Sequence, residues 1–141
     1  MSFFVDTNVL VYAVEEGPYG PDCMAILAAV AAGRADGLCS VSVLEELWHL
    51  ESRGRVPALA GQTRNARAVF GSLLPIDEAT FDLAMSLQAP AQLGTNDRIH
   101  AACCMQNSIP YIVTADAAFS EIRGLERVDP GDAAAVSALI A

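Results

Sequence analysis

Apolar residues along the chain fall into short runs that are separated by longer amphipathic stretches. The short runs have the pattern of β-strands and cover residues 2–6, 37–41, 73–76, 110–114 and 125–128. The longer stretches predict helices at about 8–15, 22–32, 42–53, 58–71, 78–89, 97–107, 116–122 and 131–140. Strands that alternate with helices are joined by right-handed crossovers and pair mainly in parallel. The pattern predicts a three-layer α/β/α sandwich with a mainly parallel central sheet.

One domain accounts for the length, since 141 residues bury roughly 68–70% of their unfolded surface on folding. A hydrophobic content of 53% argues against disorder. No apolar run approaches the roughly 20 residues of a spanning helix. The chain reaches an acid at Asp6 without a preceding basic segment, which argues against a signal peptide. We therefore expect a single domain over residues 1–141, located in the cytoplasm and with no membrane partner.

The cysteines suggest no metal or disulfide framework. Cys23, Cys39, Cys103 and Cys104 lack the spacing of a zinc site, and two of them are adjacent in an alanine-rich helical stretch. Free cysteine is among the most buried residue types. We expect four reduced thiols in the core.

Two predicted strands end in an acid, which is the first sign of chemistry. Asp6 follows the run Phe3–Val5, and Asp116 follows Ile112–Ala115. The carboxyl ends of parallel strands form the crevice in which open α/β sheets bind ligands. Carboxylates gathered there repel each other unless a cation lies between them. Oxygen ligands of this kind suit Mg²⁺ or Mn²⁺ rather than zinc, so the pattern predicts a metal site.

Two further acids fall near predicted helix starts. Asp97 begins the helix at 97–107, where the helix dipole alone would also favour a negative charge. In the helix at 42–53, Glu46 lies roughly 40° beyond the Leu50 edge of the apolar arc, and Glu45 roughly 60° beyond its Trp48 edge. Glu46 is therefore nearer the packed boundary, and we select it as the functional acid.

Together these acids give the chain a resemblance to a known family. The motifs that carry it are Asp6 in Val5-Asp6-Thr7-Asn8, Glu46-Leu47 six residues after Ser40, Asp97 before His100-Ala101-Ala102, and Asp116 in Thr114-Ala115-Asp116. These motifs resemble those of the PIN-domain family, in particular the VapC-type toxins of bacterial toxin–antitoxin pairs. The likeness follows motif order and length over essentially the whole chain.

The resemblance implies an endoribonuclease dependent on Mg²⁺ or Mn²⁺ that hydrolyses RNA phosphodiester bonds. Asp6, Glu46, Asp97 and Asp116 would bind the metal and carry catalysis, with Asn8 and Thr114 in support. The resemblance also implies a small antitoxin partner that occludes the site, and dimerisation of the chain.

The charge distribution bears on how RNA would be held. The net charge is −9 and all eight basic residues are arginines, which disfavours a generic nucleic-acid binder. Residues 34–67 contain five arginines and four acids, for a net charge of +1. We expect RNA to contact Arg53, Arg55, Arg64 and Arg67, unless these residues lie at a dimer or antitoxin interface.

Other functions fit the residues less well. A receiver domain resembles this acid pattern but uses a late lysine, and the chain has none. A haloacid-dehalogenase-type phosphatase needs Asp-x-Asp, whereas Asn8 stands at the second position. The remaining alternative is a non-catalytic PIN-like module that binds RNA or a protein. We expect a structural or supporting role for His100, one turn from Asp97, and a core or interface position for Trp48.

Overall fold

The computed structural model describes residues 1–140 as a four-stranded sheet with seven α-helices. The strands are β1 (Ser2–Val5), β2 (Asp36–Leu38), β3 (Tyr111–Val113) and β4 (Glu126–Val128). The helices are α1 (Thr7–Tyr12), α2 (Gly20–Ala31), α3 (Val41–Arg53), α4 (Gln62–Val69), α5 (Glu78–Ser86), α6 (Thr95–Gln106) and α7 (Ala133–Ile140). Short 3₁₀ helices cover Pro57–Leu59 and Ala117–Glu121.

The sheet confirms the predicted fold class. Its strand order is β2-β1-β3-β4, and every neighbouring pair is parallel. In β1, Phe3 and Phe4 point to opposite faces of the sheet, and both are completely buried. Because a parallel sheet buried on both faces needs helices on each side, the architecture is the predicted α/β/α sandwich.

Close packing of β2 against α2 depends on Gly37. A Cβ atom at this position would lie 2.5 Å from a Val30 methyl group and 3.0 Å from the Phe3 ring. Only glycine lets the strand approach both neighbours so closely. The hydrophobic core that results is continuous from Phe3 to Leu139.

The carboxyl ends of β1 and β3 lie side by side, which determines the position of the site. The Asp6 amide donates to the Val113 carbonyl at 3.1 Å, and the Thr114 amide donates to the Val128 carbonyl at 3.0 Å. Sheet hydrogen bonding thus continues one residue past each strand. The backbones of Asp6 and Thr114 are therefore held in fixed positions relative to each other at the edge of the sheet.

The predicted strand at 73–76 was wrong. Leu74 forms only an isolated parallel bridge with Ser40, through bonds to the Cys39 carbonyl and the Val41 amide. Pro75 has no amide hydrogen to extend a ladder, and Leu74 is only partly buried. Without a buried face, the segment gains too little from pairing to form a strand.

Two predicted helices also differ from the structure. The stretch at 58–71 divides into the first 3₁₀ helix and α4, because Gly61 adopts a left-handed φ of 81° between them. The stretch at 116–122 forms the second 3₁₀ helix rather than an α-helix.

The prediction of four reduced thiols in the core is confirmed. All four cysteines are buried and free in the part of the chain that the structure describes. Within residues 1–140, no helix has the length and apolar character needed to cross a bilayer.

Candidate active site

A cleft of about 260 Å³ opens at the carboxyl edge of the sheet, between β1 and β3. Four acids from four separate segments line it: Asp6 before α1, Glu46 on α3, Asp97 on α6 and Asp116 before the second 3₁₀ helix. The structure thus brings together all four acids that the sequence selected.

Asp6 is the most buried acid, with a relative exposure of 3%. It is the N-cap of α1, and its Oδ1 accepts from the Thr7 amide at 2.7 Å. Its Oδ2 accepts from the Thr114 hydroxyl at 2.8 Å. Burial raises the pKa of Asp6 above its ordinary value, although His100 and these donors oppose the shift. The carboxylate is therefore held in one orientation at a cost in solvation that a cation would offset.

Asn8 and Thr114, the two predicted supporting residues, connect the two strand ends. The Asn8 amide nitrogen donates to Asp6 Oδ2 at 3.2 Å and to Thr114 Oγ1 at 2.9 Å. Its Oδ1 accepts from the Ala115 amide at 3.2 Å. Each polar group of Asn8 is thus bonded across the β1–β3 junction, which fixes the floor of the cleft.

The neighbouring acids Glu45 and Glu46 have different positions. Glu46 is half-buried and reaches the cleft, where its Oε2 accepts from the Asn96 amide at 2.9 Å. Burial alone would raise the pKa of Glu46, but His100 and the Asn96 donor outweigh it and hold the pKa below its ordinary value. Glu45 is exposed and does not line this cleft.

Asp97 lies in the first turn of α6, whose N-cap is Gly94. Its side chain therefore contributes no capping hydrogen bond. Burial, followed by repulsion from Asp6, raises the pKa of Asp97 from 3.8 to about 6. Asp116 and Glu46 add to the repulsion. An acid this perturbed, in a cleft with other acids, is a candidate for a functional role.

Arg127 holds the loop that carries Asp116, a role that the sequence did not indicate. Its Nε donates to the Thr114 carbonyl and its Nη2 to the Ala115 carbonyl, both at 3.1 Å. The same Nη2 bonds Asp129 at 2.9 Å. Asp116 then accepts from the Ala118 amide at 3.0 Å as the N-cap of the second 3₁₀ helix. The predicted strand 125–128 contains two charged residues, Glu126 and Arg127, and nothing in the sequence distinguishes the role of Arg127.

His100 lies directly behind the acids. Its ring is completely buried and packs on Phe4, with the ring centroids 5.8 Å apart. Its Nε2 lies 3.7 Å from Asp6 Oδ1 and 3.6 Å from Glu46 Oε1. Burial lowers the pKa of His100, but the surrounding acids Glu46, Asp6 and Asp97 outweigh this, so the net pKa is raised.

The cluster has the chemistry of a divalent cation site. One ligand atom each from Asp6, Asp97 and His100 lies within 4.8 Å of the others. Glu46 and Asp116 add carboxylates to the same cleft. Buried carboxylates of raised pKa that face one another are stabilised by a cation, so the residues fit the metal that the sequence predicted.

The four arginines expected to contact RNA are exposed, and none of them lines the cleft. Arg67 donates to the Phe70 carbonyl at 2.8 Å, at the end of α4. Arg53 and Arg55 lie at and just beyond the end of α3. Helices α3 and α4, which carry or adjoin these residues, pack against each other.

The core position expected for Trp48 was wrong. The side chain is 64% exposed, whereas Leu47 beside it is completely buried. Trp48 lies about 100° round the helix from Leu47, at the edge of the apolar arc. The alternative of an interface position stays a prediction.

Comparisons with known proteins agree with this geometry. The family model of the PIN domain matches residues 3–125. Ribonuclease VapC7 of Mycobacterium tuberculosis is 29% identical over 146 residues, covering 96% of each chain. The crystal structure of VapBC2 from Rickettsia felis, bound to a DNA fragment from their promoter, superposes with a TM-score of 0.69 at 19% identity, covering 91% of this chain and 98% of the other. That of FitAcB from Neisseria gonorrhoeae superposes with a TM-score of 0.70 at 18% identity, covering 92% and 99%.

Proposed function

This chain belongs to the PIN-domain family, and from that premise we propose that it is a metal-dependent endoribonuclease, the toxin of a toxin–antitoxin pair. The observation that carries the proposal is the convergence of Asp6, Glu46, Asp97 and Asp116 on one cleft. The similarity to a ribonuclease along 96% of the chain supports the substrate class. We propose the four acids as the metal-binding and catalytic residues.

Mg²⁺ or Mn²⁺ is the proposed cofactor. When bound, such an ion lowers the pKa of a coordinated water and neutralises charge that develops on the scissile phosphate. Asp6 is the proposed central ligand because its carboxylate is oriented by the Thr7 amide and the Thr114 hydroxyl. Asp97 and Asp116 are further proposed ligands, and Glu46 is proposed to bind the metal directly or to orient its water.

The protein's own groups supply orientation and a fixed negative charge. Glu46 has a lowered pKa, so it is ionised at neutral pH, where it accepts a hydrogen bond from a ligand or water at the cleft mouth. Asn8 and Arg127 hold the two strand ends that carry Asp6 and Asp116. RNA is proposed to contact the exposed side chains of Arg53, Arg55, Arg64 and Arg67.

The proposed partners are a small antitoxin protein and a second copy of the chain. The fold is shared with VapBC2 and FitAcB, whose names denote two-component assemblies. A cytoplasmic location is proposed with this function, since the RNA substrate is there. We also treat residues 1–141 as one domain, supported by the core that is continuous from Phe3 to Leu139.

The decisive experiment is cleavage of a panel of structured RNAs, including tRNAs, by the purified protein. We expect discrete products with Mg²⁺ or Mn²⁺ and none with EDTA. Asp6→Asn should abolish cleavage, while Glu45→Gln, which changes an exposed acid outside the cleft, should retain it. Specific RNA binding without cleavage under every metal condition would identify a non-catalytic binding module instead.

A further inference from the structure

His100 is a fully buried imidazole without a hydrogen bond. Its relative exposure is 0%, and both Nδ1 and Nε2 lack a hydrogen-bond partner among the described residues. Buried polar side-chain atoms nearly always have a partner, because an unpaired group loses its hydration without compensation. A side chain of this kind in the wall of an acidic cleft needs a physical explanation.

The surroundings of the His100 ring show which groups Nε2 faces. Phe4 covers the ring on the core side. Nε2 faces Asp6 Oδ1 at 3.7 Å and Glu46 Oε1 at 3.6 Å, which are too long for hydrogen bonds. Ligand atoms around one small divalent ion lie about 3–4 Å apart, given metal–oxygen distances near 2.1 Å. The separations around Nε2 match the spacing of neighbouring ligands.

The position of His100 on α6 supports the same role. Asp97 and His100 are three residues apart, so both side chains lie on one face of the helix. A carboxylate and a histidine at this spacing hold iron or manganese in di-metal carboxylate helical bundles. The two side chains and Asp6 together offer ligand atoms within 4.8 Å of one another.

We propose that His100 is a nitrogen ligand of the divalent cation, and that it makes the site prefer Mn²⁺ to Mg²⁺. The inference rests on the proposed function in that the acidic cleft binds a divalent cation. Mg²⁺ binds almost entirely through oxygen, whereas imidazole suits first-row transition metals. A purely acidic set would accept either ion. One imidazole in the set shifts the selectivity toward Mn²⁺.

The first test uses the wild-type protein without a histidine tag, so that His49 and His100 are its two histidines. Mn²⁺-loaded protein is measured by pulsed electron paramagnetic resonance, before and after labelling of histidine with ¹⁵N. We expect a ¹⁴N coupling to the bound Mn²⁺ that changes to the ¹⁵N pattern on labelling. Bound Mn²⁺ with no nitrogen coupling overturns the proposal and leaves His100 as a cation that only balances the acids.

The second test compares His100→Gln with His49→Gln by calorimetric titration of Mn²⁺ and Mg²⁺. Glutamine retains similar reach but offers oxygen, so His100→Gln should lower Mn²⁺ affinity about tenfold and leave Mg²⁺ affinity nearly unchanged. His49 is exposed and does not line the cleft, so His49→Gln should retain the wild-type ratio. An equal loss for both ions in His100→Gln would contradict nitrogen ligation.

These outcomes are separable from the proposed function. RNA cleavage without nitrogen coupling would leave the ribonuclease proposal intact and reject His100 as a ligand. Nitrogen coupling in a protein that cleaves no RNA would reject the ribonuclease proposal and retain the metal ligand. If His100→Gln does not fold, the spectrum of His49→Gln, in which His100 is the one remaining histidine, still decides.

Discussion

The Thr114 hydroxyl donates a 2.8 Å hydrogen bond to Asp6 across 108 positions of sequence. The same oxygen accepts from the Asn8 amide at 2.9 Å and from the Asp116 backbone amide at 3.1 Å. One buried hydroxyl therefore orients the first acid and the turn that leads to the last one.

Replacing Thr114 by valine should damage both stability and the site. Thr114→Val keeps the side-chain volume but leaves the buried Asp6 carboxylate and the Asn8 amide each short of one partner. We expect a loss of about 1–3 kcal/mol in the free energy of unfolding, measured with urea, and weaker metal binding. The same change at exposed Thr95 is the control and should alter the free energy of unfolding little. Unchanged stability in Thr114→Val would show that the hydroxyl contributes nothing to the junction.

Asp97→Asn should separate function from folding. It keeps volume and polarity but removes one charge from the cleft, so we expect RNA cleavage to fall by orders of magnitude while the folded state persists. Cleavage rates and circular dichroism spectra measure the two effects. Cleavage near the wild-type rate would reduce Asp97 to a residue that only complements the dipole of α6.

The pH dependence of the metal-free protein gives Asp97 a second test. Its pKa is raised from 3.8 to about 6 in the folded state, so between these values the folded protein binds more protons than the unfolded chain. The contribution of Asp97 to stability is therefore lost as pH rises through that window. We expect metal-free Asp97→Asn to have a higher Tm than the wild type at pH 7 and nearly the same Tm near pH 4. Calorimetry in the presence of EDTA measures both values.

Glu46→Gln and Glu45→Gln should differ sharply in RNA cleavage. Glu46 lines the cleft and bonds Asn96, whereas Glu45 is exposed outside it. We expect loss of cleavage only for Glu46→Gln, in single-turnover assays with equal metal. A reversed result would mean that α3 is rotated by one residue in the active protein.

A divalent ion should stabilise the folded protein. Because the ion binds the assembled acids and not the unfolded chain, saturation at a hundredfold excess over Kd contributes about 2.7 kcal/mol. We expect a rise in Tm of several degrees with Mg²⁺ or Mn²⁺ but not with Na⁺ at equal ionic strength. The rise should shrink below about pH 6 as Asp97 becomes protonated, and Asp6→Asn should largely abolish it.

If melting is indifferent to both divalent ions, the titration should be repeated with a non-cleavable RNA. Absence of binding there as well would reject a metal site in the cleft.

The arginines test how an acidic protein holds RNA. Arg53→Gln/Arg55→Gln should raise KM and flatten the salt dependence of binding, by a slope of about 0.7 for each phosphate that an arginine no longer neutralises. Arg123→Gln is the control, since Arg123 is exposed but lies outside residues 34–67. Unchanged RNA affinity with an altered mass in light scattering would assign Arg53 and Arg55 to an interface between copies.

The sequence predicted the parts of the fold that local pattern determines. Asp6 and Asp116 were found because each follows a fully buried run, and parallel strands end at one edge. Glu46 was separated from Glu45 by helical phase. The contacts of Arg127 and His100 escaped prediction, because they depend on which distant segment packs beside them. The prediction of a strand at 73–76 was wrong because the apolar residues of this segment have no buried face of the sheet to pack against.

The strand order has a consequence for synthesis of the protein. β1 leaves the ribosome well before one of its two neighbours, β3, which begins at Tyr111. More than a hundred residues must therefore be synthesised after Asp6 before Thr114 and Asp116 are present beside it. Pairing between β1 and β3 forms late, because the entropy of closing the long intervening loop opposes it until the contacts between the two strands can form. We therefore expect a nascent chain to lack the complete acidic cleft until Asp116 has been synthesised.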